Sequence, residues 1–205
     1  MPYAYEANAV SLYLNKEWER ALKETELWIL DQPFSSRPAL FASFISATCL
    51  DDYQKSESIL KNTIISNPND NILINNLAFA LINQDKITEA EKVLNQFNHP
   101  NGTNEQIVWY ATHGLLSFRK GLIEQGRELY TKAISVASRN GFEDHKALAA
   151  LILAREEIKS STSEANQAFS FAENLVKRSN DVVVSYLYDK IKELLDRSNI
   201  KKGDV

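Results

Sequence analysis

The chain has 205 residues, with 23 basic and 27 acidic side chains, and its formal net charge is −4. Hydrophobic residues make up 44% of it, which excludes a disordered chain, and no apolar run reaches the roughly 18 residues of a membrane-spanning helix. The acidic balance and the interspersed charges argue against a nucleic-acid partner, because phosphate contacts need clustered Lys and Arg.

The first ten residues lack the basic and then apolar pattern of a signal peptide, and the chain holds one cysteine, Cys49. A single cysteine excludes an intrachain disulfide and a thiolate-rich zinc site. Cys49 lies in an apolar stretch, so we expect a buried, inert thiol and a cytoplasmic location.

A small residue recurs five times in a similar frame, at spacings of 35, 34, 36 and 39 residues, at Ala21, Ser56, Ala90, Gly126 and Ala165. A self-similar period in the mid-thirties is typical of an array of helical hairpins. The sequence therefore predicts an all-α fold of five antiparallel helix pairs, in which the small residue lies where the two helices of a pair cross.

The first predicted pair spans about residues 3–33. Its first helix is apolar almost all round, with tyrosines at Tyr3, Tyr5 and Tyr13. A helix of this kind is normally covered on both sides, whereas the terminal repeat of an array needs a polar outer face. We therefore expect either that the chain is a piece of a longer protein or that these tyrosines form a self-association surface.

The second pair is predicted at about 37–68, with Asp51 and Asp52 in its turn, and the third at about 71–100. In the third, apolar residues of the NILINNLAFA segment follow helical spacing, and a polar turn at residues 83–85 precedes the second helix. Ala78 and Ala90 are predicted to face each other where its helices cross.

The fourth pair is predicted at about 105–139, with Gly114 facing Gly126, and the fifth at about 143–179. The Glu156-Glu157 pair is interpreted as a solvated helix face. An amphipathic helix over 182–197 is expected to cap the array, and residues 201–205 to form a tail, so that residues 1–200 make one domain.

Three segments carry a family resemblance: LDDYQKSESILKNTIISNPND from residue 50, NNLAFALINQDKITEAEKVL from residue 75, and YATHGLLSFRKGLIEQGRELYTKAI from residue 110. Their register resembles the tetratricopeptide repeat, a 34-residue helix–turn–helix. Departures are the absence of Trp at the fourth position, Phe44 where a small residue is usual, and the longer fifth repeat.

The resemblance implies a right-handed α-solenoid whose inner wall is built from the first helix of each pair. Transferred position by position, it predicts a groove for a peptide or partner helix lined by Tyr13, Phe41, Ile45, Asn75, Asn76, Phe79, Asn83, Leu115, Phe118 and Arg119. Family members that hold a C-terminal carboxylate use Lys, Asn and Arg from successive repeats. Asn76 fits the middle of such a clamp, but uncharged residues occupy its flanks, so carboxylate-clamp binding is not expected.

We expect no enzymatic activity, cofactor or metal, because no nucleophile has a base beside it and the three histidines lie in different repeats. His113 is interpreted as a half-buried packing residue.

The leading hypothesis is a protein-interaction scaffold. The alternative is a regulatory or self-association segment of a larger multidomain protein, which would contact a second copy or a neighbouring domain through its first helix. RNA binding fits the period but not the acidic charge.

Overall fold

A computed structural model describes the backbone of residues 4–203 and the side chains of residues 4–200. Within that range the chain consists of helices and turns, with no strand. Its residues form two compact units that divide between Pro100 and Asn101, called here the first and second units. Tyr3 and residues 204–205 lie outside the described part of the chain.

The first unit contains three antiparallel helix pairs. Its helices are α1 (Tyr5–Leu14), α2 (Trp18–Asp31), α3 (Ser36–Phe44), α4 (Tyr53–Ser66), α5 (Asn71–Ile82) and α6 (Ile87–Leu94), with a π-helical turn, Ile45–Cys49, continuing α3. The second helices α2 and α4 also pack against the first helix of the next pair, α3 and α5 respectively. Asp52 and Asp70 begin α4 and α5, because their carboxylates accept hydrogen bonds from backbone N–H groups of the first helical turn.

The second unit contains two helix pairs and a final helix. Its helices are α7 (Thr103–Arg119), α8 (Ile123–Arg139), α9 (Glu143–Lys159), α10 (Ala165–Val176) and α11 (Val182–Gly203). Helix α9 contacts the other four. The last helix begins at an Asp181 cap and packs on α9 and α10 as the predicted capping helix, but it continues to Gly203, past the predicted end at residue 197.

One left-handed residue closes the first helix of each pair. These residues have φ between 52° and 76° and are Lys16, Asp51, Asp85, Gly121 and Ser161. In the third repeat the Asp85 N–H donates to the Ile82 carbonyl at 3.1 Å, and the Lys86 N–H to the Leu81 carbonyl at 3.0 Å. This double hydrogen bond is the Schellman motif, which satisfies carbonyls that the helix end would leave unpaired.

The helix pairs cross at small residues, as the sequence predicts. Ala78 and Ala90 are fully buried. A Cβ added to Gly126 would lie 3.0 Å from the Gly114 carbonyl oxygen and 2.5 Å from Cδ2 of Phe118. A side chain at Gly126 would therefore displace the Phe118 ring or move α7 and α8 apart.

Helix α3 departs from the regular repeat through its π-helical turn. There the Leu50 N–H donates to the Ile45 carbonyl at 3.1 Å, five residues earlier, which accommodates one more residue than an α-helical turn. Positions before the turn are consequently displaced by one residue relative to the other repeats. The small residue at the crossing is the buried Ser43, which explains the unexpected Phe44.

No helix of the described residues combines the length and the apolar character that a membrane span needs.

Candidate functional site

Helix α5 leaves one narrow stripe uncovered. From Asn71 to Asn83 every residue is buried except four half-buried ones, Ile72, Asn76, Phe79 and Asn83. Their spacing of four, three and four residues places them on one helix face. This stripe is the part of α5 that a partner can reach.

Helix α3 and its π-helical turn carry a matching stripe. Arg37, Phe41, Phe44 and Thr48 follow the same spacing and are exposed or half-buried, whereas Ala42, Ser43 and Ile45–Ala47 are buried. The stripe residue Thr48 precedes the left-handed Asp51 by three positions, whereas Asn83 precedes Asp85 by two. The extra residue in the π-helical turn accounts for this difference.

Helix α1 continues the pattern with Ala7, Val10 and Leu14, the last of which again precedes a left-handed residue by two positions. Val10 is 39% and Leu14 57% exposed. Because α1, α3 and α5 are the first helices of successive pairs, their three stripes form one surface of the first unit, called here the α1–α3–α5 face.

Aromatic contacts connect the helices that carry this face. The Tyr13 ring lies 5.2 Å from Phe41 and 6.4 Å from Phe44 between centroids, so it joins α1 to α3. The Phe79 ring lies 6.3 Å from that of Tyr53 in α4. The aromatic side chains are therefore held in place by packing while part of each remains accessible.

The polar groups on the face are few. Nδ2 of Asn83 donates to the Phe79 carbonyl at 2.9 Å, and Oδ1 of Asn76 accepts from Nδ2 of Asn75 at 3.4 Å. Arg37 forms an ion pair with Glu6, and its guanidinium lies 5.5 Å from the ring centroid of Trp28. Arg37 is the one charged member of the three stripes and is already engaged within the first unit.

Two predicted wall residues of the first unit are buried and do not line the face. Ile45 is fully buried, and Phe44 takes its place on the stripe because of the one-residue displacement before the π-helical turn. Asn75 is buried one position off the α5 stripe, and its Oδ1 has no hydrogen-bond partner among the described residues. The predictions for these two side chains were wrong.

The predicted wall residues of the second unit also belong to its interior. Leu115 and Phe118 are buried, and the Phe118 ring packs over Gly126 with its centroid 6.2 Å from that of Tyr130. Both predictions are corrected: these side chains fill the core at the crossing of α7 and α8.

Arg119, predicted as a wall residue, is part of an internal ion pair. Its Nη1 donates to Oε2 of Glu156 at 2.5 Å, and Nε of Arg155 donates to Oε1 of the same carboxylate at 2.8 Å. Glu156 has no exposed surface. Arg119 therefore neutralises a buried charge, and this role replaces the predicted one.

Glu157 is 1% exposed and is held in the same way. It accepts two hydrogen bonds from Arg127, from Nε at 2.7 Å and from Nη2 at 3.0 Å, and a third from the Thr162 hydroxyl. The interpretation of Glu156 and Glu157 as a solvated face was wrong. From residue 147 to 159, α9 is buried except along one stripe, which consists of Leu148, Ile152, Arg155 and Lys159.

Two predicted self-association residues fall within the described chain. Tyr13 and Tyr5 are half-buried, and the Tyr13 ring contacts those of Trp18, Phe41 and Phe44. The larger apolar exposure of α1 is at Val10 and Leu14.

His113 of the second unit lies against an aromatic ring. The His113 ring lies on that of Trp109 with centroids 4.0 Å apart, and its Nδ1 donates to the Trp109 carbonyl oxygen at 2.9 Å. Burial lowers the pKa of His113 below the usual value. Among the described residues no group of three or more His, Cys, Asp or Glu side chains is arranged to hold a metal ion.

Solved structures that share this fold include two of MamA. One is a double mutant of MamA from strain RS-1, with a TM-score of 0.53 and 16% identity over 86% of this chain and 94% of that one. The other is MamA from residue 41 to its end, from Desulfovibrio magneticus RS-1, with a TM-score of 0.53 and 17% identity over 86% of this chain and 95% of that one. The shared fold is a helical repeat of the tetratricopeptide type.

This likeness confirms the predicted all-α helical-repeat fold. No family model and no curated protein matches the chain. At 16% and 17% identity, this likeness establishes the fold alone.

Proposed function

We propose that this chain is a non-catalytic protein-interaction module whose α1–α3–α5 face binds an apolar peptide segment or the apolar face of a partner helix. This proposal rests on the stripe of exposed and half-buried residues that recurs, with the same spacing, on three successive first helices. Val10 and Leu14 are exposed and Phe41, Phe44 and Phe79 are half-buried, so the face keeps apolar surface that a partner can cover.

The chemistry of the face indicates the class of partner. Val10, Leu14, Phe41, Phe44 and Phe79 offer aliphatic and aromatic surface that would receive apolar side chains. Asn76 and Asn83 add amide groups that can exchange hydrogen bonds with a peptide backbone. Arg37 is engaged by Glu6, so the face has no available cation for a terminal carboxylate.

A matched pair of leucine variants tests the proposal. Leu14 on the face and Leu30 on α2 are both exposed, at 57% and 77%, so either can become Glu without disrupting the core. A peptide is selected from a random library displayed against the full chain, then synthesised, and its Kd is measured by isothermal titration calorimetry.

Leu14→Glu is expected to weaken binding at least about tenfold, because it places a charge where an apolar side chain docks, whereas Leu30→Glu leaves Kd unchanged. Phe79→Ala is expected to weaken binding as well. Equal Kd values for the wild type and Leu14→Glu, or an equal loss in both leucine variants, would contradict the location of the site.

A second candidate is self-association through α1, supported by the exposure of Val10 and Leu14. In that case a second copy covers these side chains. Light scattering on a size-exclusion column distinguishes the two functions. A dimer that Leu14→Glu converts to a monomer supports self-association, and a monomer at all concentrations removes it.

A further inference from the structure

The second unit contains a cleft that neither the proposed peptide-binding face nor the ion pairs of α9 explain. It has a volume of about 560 Å³ and lies between α8 and α10, with the start of α9 contributing one residue. Its lining consists of Thr131, Ile134, Ser135, Ser138, Arg139, Lys146, Phe171, Asn174, Leu175 and Arg178. This cavity is called here the α8–α10 cleft.

Helical spacing explains why these side chains converge. One wall begins at Phe171 of α10 and continues three, four and seven positions later with Asn174, Leu175 and Arg178, the last just past the end of the helix. This spacing places the side chains on one helix face. Thr131, Ile134, Ser135 and Ser138 repeat that spacing on α8. The two helices thus supply opposite walls, and the largely buried Lys146 of α9 completes the lining.

All charged residues in this lining are cations: Arg139, Lys146 and Arg178. Two carboxylates of the same region, on α9, already have partners. Glu143 lies 3.3 Å from Nζ of Lys146, and Asp144 accepts a hydrogen bond from the Ser179 hydroxyl at 2.6 Å. The cleft is therefore basic although the chain has a net charge of −4, and it is complementary to an acidic partner.

The cleft also has an apolar part. Phe171 is 46% exposed although it is a large aromatic residue, and Ile134 and Leu175 line the cavity with it. Arg139 and Arg178 are exposed; Arg139 is the last residue of α8, and Arg178 lies two residues past the end of α10. An occupant that matches the cleft therefore combines an apolar side chain with carboxylates beside it.

We propose that the α8–α10 cleft is a second docking site, which binds an acidic peptide segment of a partner protein. Aspartate or glutamate side chains of the segment pair with Arg139 and Arg178, whose guanidinium groups suit carboxylates in a bidentate geometry. An apolar residue of the segment contacts Phe171, Ile134 and Leu175.

The test uses the full chain and a defined probe. The probe is a fluorescein-labelled synthetic peptide of Asp and Glu residues around a single leucine, and its Kd is measured by fluorescence anisotropy at low and at physiological salt. The comparison peptide carries Asn and Gln in place of every Asp and Glu. The protein variants are Arg139→Glu with Arg178→Glu, Phe171→Ala, and the charge-matched control Arg20→Glu with Arg197→Glu at exposed positions.

We expect saturable binding of the acidic peptide, weakened at least about tenfold in the cleft double variant and about threefold in Phe171→Ala, while the control double variant stays within about twofold of the wild type. Added salt weakens the binding. Equal losses in the two double variants, or equally tight binding of the Asn/Gln peptide, would overturn the proposal. Neither result bears on the α1–α3–α5 face, which lies in the other unit.

Discussion

At the scale of single residues, buried carboxylates contribute strongly to both units. In the first unit Glu57 is nearly buried and accepts hydrogen bonds from Nζ of Lys61 at 2.5 Å, Nζ of Lys86 at 2.7 Å and Nε2 of Gln84 at 2.8 Å. Burial alone would raise the pKa of Glu57, but these three donors outweigh it and lower the pKa from 4.5 to about 2. The charged form of Glu57 therefore stabilises the fold.

A pH series tests this contribution. Because the folded pKa lies below the unfolded one, the stabilisation is complete above about pH 4.5 and is lost as the pH falls towards 2. We expect Glu57→Gln to reduce the free energy of unfolding near neutral pH, and its deficit relative to the wild type to shrink by about 2 kcal/mol on going to about pH 3. Urea unfolding of both proteins measures it. A deficit independent of pH would contradict the assigned pKa.

The Arg127–Glu157 pair predicts a large cost for losing one partner. Arg127→Ala would remove the Nε and Nη2 donors from the buried Glu157, and we expect it to destabilise the chain by about 3 kcal/mol. The control is Arg20→Ala, which removes an exposed pair with Glu17 and is expected to cost less than about 1 kcal/mol. Similar unfolding midpoints for the two variants would refute the buried-pair account.

These residues also show what the sequence could not predict. Adjacent glutamates on a helix are usually solvated, and their partners Arg119 and Arg127 lie 37 and 30 residues away. Pairing at that distance depends on how neighbouring repeats pack. Local pattern therefore misplaced Glu156 and Glu157, although His113 and the buried Cys49 were predicted correctly from their surroundings.

At the scale of helices, the crossing of α7 and α8 was predictable because a small residue recurs at each crossing. Gly126→Ala tests it directly, since the new Cβ would lie 2.5 Å from Cδ2 of Phe118. We expect a loss of about 1–3 kcal/mol from overpacking, measured by thermal or urea unfolding. Gly102→Ala is the matched control, because a Cβ there meets nothing within 4 Å. An equal loss at both glycines would contradict overpacking at the crossing.

For the left-handed residues that close the first helices, we expect a change to glycine to stabilise the chain. Lys16 has φ of 61°, which costs a residue with a Cβ about 1 kcal/mol, so Lys16→Gly is expected to stabilise the chain by about 0.5–1 kcal/mol. At the corresponding position of the fourth repeat, Gly121→Ala is expected to destabilise it by a similar amount. Changes of the reverse sign in denaturant unfolding would show that these turns are not left-handed in solution.

The π-helical turn explains why the sequence misplaced one wall residue. If the helix were α-helical throughout, the repeat positions would place Ile45 on the face. The inserted residue displaces the preceding positions, so Phe44 lies there. A π-helical turn depends on packing around the segment, which a repeat period does not report. Phe41, Asn76, Phe79 and Asn83 keep positions on the face.

At the scale of the whole molecule, the fold followed from the period because stacked hairpins bury their apolar faces against their neighbours. Within the described residues the helices of the five pairs lie close to the predicted ranges, whereas the final helix is longer than predicted. The identity of a partner is a different problem, since an apolar face with two amides accepts many sequences. Its chemical class can be argued from the side chains, and it differs between the two units: apolar for the α1–α3–α5 face and acidic for the α8–α10 cleft.

Peptide binding to the α1–α3–α5 face can be observed directly. The most direct test is a titration of the isotope-labelled full chain with the library-selected peptide, followed by NMR of backbone amides and of the side-chain amides of Asn76 and Asn83. We expect the largest chemical-shift changes on the three stripes of α1, α3 and α5, with the side-chain amide of Asn76 among them. Changes that cluster on the exposed sides of α2 and α4, around Leu30 and Ile65, would contradict the claim.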